Sequence, residues 1–262
     1  MGGSVLRAAA FLAGLLGLRA AEVLEPHHPP TAPLARRWVA NLGLGLVNGL
    51  VVSALCAACF LLAAQGRLPA AVAPLPRLVS SPWIQAAVAV VLLDLVTYAL
   101  HWAFHRVPLL WRFHAVHHTD LDLDVSSASR FHTGEVLFSS AAKLGFVTLL
   151  GIPPVGLVVF EIVMLASAQF QHANVRIAAG VESVLWVTLV PPAMHRIHHA
   201  PNRRDTDSNY GTILTLWDRL FGTFNRRAAD ERPAFGIPGM RDPERLGLGS
   251  LTLLPFRRAP GT

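Results

Sequence analysis

Between Trp38 and Gly66 the chain runs for 29 residues without an aspartate, glutamate, lysine, arginine or histidine. A bilayer core of about 30 Å is crossed by ~20 helical residues, so this run predicts one membrane span with residues in hand. In lipid, backbone polar groups must be satisfied within the segment, and a continuous apolar run does that as a helix. A second run begins where Ser81 and Pro82 read as an N-cap and first helical position, and extends to Leu100 interrupted only by Asp94. A third, from Val136 to Gln171, contains Lys143 and Glu161 and is divided by Gly151, Ile152, Pro153 and Pro154. Its halves suit either a hairpin of two spans or a re-entrant pair. The expected fold class is therefore all-α, an integral membrane helical bundle, and the histidine-rich segments form its cap.

Composition agrees: 53% of residues are hydrophobic and 15% charged, against roughly 25% charged in a soluble domain. This excludes intrinsic disorder. Cys56 and Cys59 lie inside the first apolar run and read as small packing residues rather than a redox pair. The net charge of +6 rests on scattered arginines and one lysine, Lys143, with none of the basic patches interleaved with aromatics that nucleic acid requires. The apolar stretch Ala8 to Leu18, between Arg7 and Arg19, predicts an uncleaved interfacial helix. With the linker from Glu22 to Pro33 it gives an N-terminal segment over 1–37, and 38–262 is read as one membrane-embedded domain. With Arg36 and Arg37 inside, the loop from Arg67 to Arg77 is expected outside, and the histidines and the tail after Pro201 on the cytoplasmic side.

Of 12 histidines, five fall between residues 101 and 118. His101 and His105 are spaced i, i+4; His114, His117 and His118 are spaced i, i+3, i+4, as are His195, His198 and His199. On a helix each set shares one face, so its imidazoles converge on a point beside the axis. Imidazole is the commonest protein ligand of transition metals, and eight exceed what one ion can use, so two ions are expected. His132 and His172 are isolated but sit at boundaries of apolar runs, as His101 and His195 do, and bring the candidate ligands to ten. A metal-storage tract would show compositional runs instead of helical spacings. His27 and His28, among prolines, read as surface, and the ExxH spacing of Glu25 and His28 is set aside because a carboxylate-bridged bundle needs two such motifs on regular helices.

HWAFH at 101–105, HAVHH at 114–118, SRFHTGE at 129–135, QHANV at 171–175, HRIHH at 195–199 and DSNYGTILTLWDRLFGTF at 207–224 together resemble the sterol desaturase and fatty acid hydroxylase superfamily. The resemblance covers roughly 81–224. It implies a membrane-embedded non-haem di-iron oxygenase whose two Fe ions face the cytoplasm. Such an enzyme hydroxylates or desaturates a fatty acyl, sterol or related long-chain lipid with O2. Electrons are expected from a separate ferredoxin or cytochrome-type donor, since the chain has no dinucleotide fingerprint, iron–sulfur cysteine set or appended haem domain. Some relatives carry an HxxxH box before the last HxxHH; here the corresponding residues are His172 and Arg176, and His132 is taken to supply the missing nitrogen.

An all-imidazole shell cancels none of the metal charge, so nearby carboxylates should compensate. Asp94, two helical turns before His101, is a candidate to orient a ligand and equally to hydrogen-bond a neighbouring helix. Glu135 is expected to face His132; Asp120, Asp122 and Asp124, with Asp205 and Asp207, are expected to include one or two histidine partners. Arg203, Arg204, Arg226 and Arg227 read as positive-inside residues or a donor-docking face. Trp217 and Phe221 are expected to pack on the metal-bearing helices, and Asn209 and Tyr210 to brace the last box. A non-enzymatic metal sensor or carrier is the alternative; the three complete boxes favour an enzyme.

Overall fold

The first long helix, α1 (Gly2–Leu24), is followed by α2 (Leu34–Ala64), the short α3 (Pro74–Leu78) and α4 (Pro82–Arg106) in a computed structural model that describes residues 2–64, 74–227 and 234–257. Cys56, Cys59 and Arg67 lie outside the residues whose side chains are described. Next come α5 (Pro108–His118), α6 (Thr133–Leu150), α7 (Pro154–His172), α8 (Ala179–Thr188), α9 (Pro192–His198) and three short helices, α10 (Arg203–Thr206), α11 (Leu216–Leu220) and α12 (Leu248–Leu253). Among the described residues, β pairing is limited to two isolated bridges, Pro26 with Val175 and Leu189 with Leu214.

Five helices, α1, α2, α4, α6 and α7, are long and apolar enough to cross a membrane, and the chain is an integral membrane protein. The N-terminal helix departs from expectation: it extends over Gly2–Leu24 rather than a short interfacial stretch, and it packs along α7. The divided run resolves into two antiparallel helices. Gly151 closes α6 in the left-handed conformation (φ 69°), which costs glycine least, and Pro154 starts α7.

Prolines also shape the cap. Pro108 stands at the first position of α5, and Val107, between α4 and α5, is extended and donates its N–H to the Ala103 carbonyl. A proline inside a continuous helix would clash with the preceding turn, so the chain bends here and α5 folds back against α4. Pro192 begins α9 in the same way.

The membrane core centres on the α4–α7 contact, where Ala89, Leu93 and Phe160 are fully buried. Gly156 permits the approach, since a Cβ there would lie 3.2 Å from the Ala89 methyl. Outward faces carry exposed Leu46, Leu50, Trp83, Phe138 and Leu149, which suits helices surrounded by acyl chains.

Candidate metal centre

Nine histidines converge from the C-terminal ends of four helices. His101 and His105 lie near the end of α4, His114, His117 and His118 in the last turns of α5, and His172 is the last residue of α7. His195 and His198 belong to α9, with His199 as its C-cap. Helix C-termini carry partial negative charge, so four of them pointing at one place favour cations there.

The nitrogens fall into two groups. His101, His105, His114, His118 and His198 form one; His117, His172, His195 and His199 form the other, and within each group one nitrogen per ring lies within 4.8 Å of the rest. Each HxxHH box is therefore divided: His114 and His118 serve the first group and His117 the second, while His198 serves the first and His195 and His199 the second. Sequence spacing placed each triad on one point, and the structure splits it because the side chains at i+3 and i+4 flank two adjacent sites. The groups adjoin, with the His118 and His199 rings stacked at 4.4 Å.

The donor set suits metal ions. In the first group the Nε2 atoms of His101, His105, His114, His118 and His198 are buried without a hydrogen-bond partner. In the second, Nε2 of His172 lies 3.1 Å from Nε2 of His117 and 3.0 Å from Nε2 of His195, which is 3.1 Å from Nε2 of His199. The Nδ1 atoms of His117 and His172 donate to the carbonyls of Arg130 and Ala168 at 3.2 and 2.7 Å. A carbonyl can only accept, so the Nε2 lone pairs of these two rings face each other. Facing lone pairs repel unless a cation lies between them, and separations near 3 Å match neighbouring ligands around an ion with bonds of about 2.1 Å. Burial holds His117, His118, His195 and His199 well below the usual imidazole range and His198 down to about 3, so all five are neutral and able to coordinate.

Partners on the far side of the rings set their orientation. Nδ1 of His101 donates to the Tyr210 carbonyl and that of His198 to the Ser208 carbonyl, each at 2.8 Å. Glu135 accepts from His114 Nδ1 at 2.8 Å rather than facing His132, and Asp207 Oδ1 lies 3.5 Å from His105 Nδ1.

His132 stands apart from both groups. It is the N-cap of α6, its Nδ1 accepting from the Gly134 N–H at 2.9 Å and its Nε2 donating to the Thr252 carbonyl at 3.0 Å. Arg176 is exposed and its N–H donates to the Glu25 carbonyl, so the second group gathers four imidazoles without either residue.

The acidic residues after the second box also fall elsewhere. Asp120 accepts from Arg37 at 2.6 and 3.0 Å and from Ser127 at 2.7 Å; Asp124 accepts from Arg37 at 2.6 Å. Although burial opposes its ionisation, the charges of Arg37 and Arg130 hold Asp120 well below the usual carboxylate range. Asp122 accepts from the Thr31 and Ala32 N–H groups and lies 3.2 Å from Nε2 of His28. His28 is thus buried, not on the surface, and ties the linker to this network. Asp205 accepts from Asn202 and Asn225 and pairs with Arg227, touching no histidine.

Asp94 takes the interhelical role. It accepts from the Ile213 and Leu214 N–H groups, both at 3.1 Å, and from Trp217 Nε1 at 2.8 Å. These contacts anchor the loop whose Tyr210 carbonyl holds His101. Asn209 donates to the Met194 carbonyl in α9 at 3.3 Å, and Phe221 stacks on Tyr98 at 5.4 Å, as expected of bracing and packing residues. Sequence reasoning missed Asp218, which accepts from the Tyr210 and Gly211 N–H groups at 2.8 Å and closes the loop. It also missed Arg130, fully buried and donating to Asn41, Thr119 and the Val116 carbonyl. Asp218 lay inside a recognised motif without a chemical role; Arg130 carried no spacing signal.

A cavity of about 280 Å³ adjoins both histidine groups and continues between α4, α6 and α7. His101 and His114 of one group and His117, His172 and His195 of the other line it, with apolar walls from Leu100, Phe104, Phe131 and Leu165.

Fold and site define a helical membrane metalloprotein whose two all-imidazole groups open onto one intramembrane cavity. The chain belongs to the fatty acid hydroxylase family, whose model matches residues 86–223, just over half its length. It is 33% identical over 156 residues to the ornithine lipid hydroxylase OlsE of Rhizobium tropici, which covers 59% of this chain and 46% of that one. It is 32% identical over 162 residues to the alkylglycerol monooxygenase of Homo sapiens, 60% of this chain and 34% of that one. With the cholesterol 25-hydroxylase of Rattus norvegicus it shares 25% identity over 219 residues, 82% of this chain and 70% of that one. The chain thus spans less than half the length of the first two relatives. No solved structure gives a significant match.

Proposed function

We propose that the protein is an O2-dependent lipid oxygenase with two irons, one in each histidine group, that hydroxylates a long-chain substrate. The observation that carries this is the pair of buried imidazole groups sharing one apolar cavity between membrane helices. His101, His105, His114, His118 and His198 would hold one ion, and His117, His172, His195 and His199 the other. Iron bound there would supply the O2 chemistry that a saturated C–H bond demands and no side chain provides.

The chain's own residues do the rest. Leu100, Phe104 and Phe131 keep water from the reacting end of the cavity, and α4, α6 and α7 confine an alkyl chain beside His101, His114 and His117. Glu135 fixes the proton of His114 on Nδ1, leaving Nε2 free to coordinate. The names of the relatives, hydroxylases and monooxygenases, support oxygen insertion over desaturation. Electrons would come from a separate ferredoxin or cytochrome-type donor, for which the exposed Arg203, Arg204, Arg226 and Arg227 would leave a net basic face beside the last box even though Arg203 and Arg227 pair with Asp207 and Asp205. The cap would face the cytoplasm.

The test compares lipid extracts of cells with and without the gene by mass spectrometry. A lipid heavier by one oxygen is expected. A loss of two hydrogens would make the protein a desaturase, and unchanged lipids with bound metal would turn the reading towards a carrier.

A further inference from the structure

The wall that α6 presents to the cavity is mostly polar, whereas the opposing walls, away from the histidines, are mostly apolar with Thr97, Gln171 and Thr212 as the exceptions. Glu135, Ser139, Ser140 and Lys143 all line it, at i, i+4, i+5 and i+8, so they form one stripe along one helical face. Glu135 is engaged by His114 at the metal end. Eight residues of helix place Lys143 about 12 Å further along, near the middle of a membrane-spanning helix.

Lys143 is poorly matched by the protein itself. Its ammonium contacts the Met164 sulfur at 4.0 Å and stands 6.0 Å from the centre of the Phe160 ring, at the outer limit of a cation–π contact. Of the two nearby carboxylates, Glu161 is engaged by Arg7, and Glu135 gives one oxygen to His114 while its other lies buried and unpartnered two helical turns from Lys143, too far to pair with it directly. A charged side chain at such depth is costly and faces a functional cavity as a rule. Ser139 and Ser140 lie in the same half-buried stretch of wall. A lysine met only by a sulfur and a ring, with two serines beside it on a cavity wall between lipid-exposed helices, points to a ligand that carries oxygen there.

We propose that Lys143, with Ser139 and Ser140, forms a subsite for an oxygen-bearing chain end, a hydroxyl or carboxylate, at the deep end of the cavity. The substrate then lies with its polar end towards the bilayer centre and its reacting carbon at the histidines near the membrane surface. This rests on the oxygenase reading for the identity of the reacting end, while the subsite itself is read by binding alone.

The experiment measures equilibrium binding of radiolabelled palmitate, hexadecanol and hexadecane to the full chain in lipid nanodiscs, with empty nanodiscs subtracted. Wild-type protein is expected to bind at least one oxygenated chain about tenfold or more tightly than hexadecane, the size of a charge-assisted hydrogen bond. Lys143→Met should remove most of that advantage at unchanged metal content, Lys143→Arg should retain part of it, and Ser139→Ala with Ser140→Ala should weaken it less. An effect on palmitate alone assigns a carboxylate; one on hexadecanol alone assigns a hydroxyl. Equal binding of all three chains, or a Lys143→Met protein that keeps metal and full preference, overturns the subsite. Lipid oxidation persisting beside such a result would leave the oxygenase reading intact, and the preference persisting without oxidation would do the reverse.

Discussion

His118 and His132 are both histidines beside an apolar run, yet they do different work. His118 presents an unpartnered buried Nε2 to four other imidazoles, whereas both nitrogens of His132 are spent on backbone groups. His118→Ala is therefore expected to lower iron content and abolish turnover, while His132→Ala should keep its metal and lose about 0.5–2 kcal/mol of stability as a missing cap. Metal analysis beside a thermal melt separates the two, and iron-free His132→Ala protein of normal stability would show that this ring ligates after all. Glu135→Gln keeps the shape but weakens the hold on His114, and a ten- to hundred-fold fall in metal affinity is expected. The imidazoles themselves were legible from spacing; their carbonyl partners at Tyr210, Ser208, Arg130 and Ala168 were not, because any residue type supplies a carbonyl.

At the scale of elements, two segments remote in sequence hold the cap. The loop after α10 is closed by Asp218 and moored to α4 by Asp94, so Asp94→Asn should loosen the Tyr210 carbonyl and with it His101. The readout is a change in the absorption spectrum of Co(II)-loaded protein with helix content unaltered; an unchanged spectrum would reduce Asp94 to packing. The start of α2 is tied to the segment after α5 by Arg37, whose removal leaves Asp120 and Asp124 buried with fewer partners. Arg37→Gln is expected to cost about 3–5 kcal/mol. Asp120 is ionised more readily folded than unfolded, so its stabilisation is complete above about pH 4 and fades as pH falls through its lowered pKa. A wild-type thermal midpoint that drops below pH 4, and an Asp120→Asn midpoint that drops less, would match this. The same network corrects the reading of the linker, because prolines around His28 suggested a free surface while Asp122 and Asn174 bind it on both sides. Ion pairs between residues 80 or more apart leave no periodicity to read.

For the whole molecule, two irons per chain are expected in gently purified protein; one tightly bound zinc with no further metal would defeat the two-ion reading. In a background with Cys56 and Cys59 changed to alanine, Arg204→Cys should be shielded from impermeant thiol reagents in intact cells and Leu78→Cys should react, since α4 separates them by a membrane width. Reversed labelling would place the cap outside. The sequence by itself determined that the chain is helical and membrane-embedded, because a 29-residue uncharged run followed by two further apolar runs admits little else, and of the ten imidazoles it singled out the structure gathers nine. Only the tertiary structure decided how those imidazoles divide, which carboxylate serves which ring, and that the N-terminal helix joins the bundle. Helical spacing defines a face within one element, whereas the partition of a face between two sites depends on how α4, α5, α7 and α9 meet.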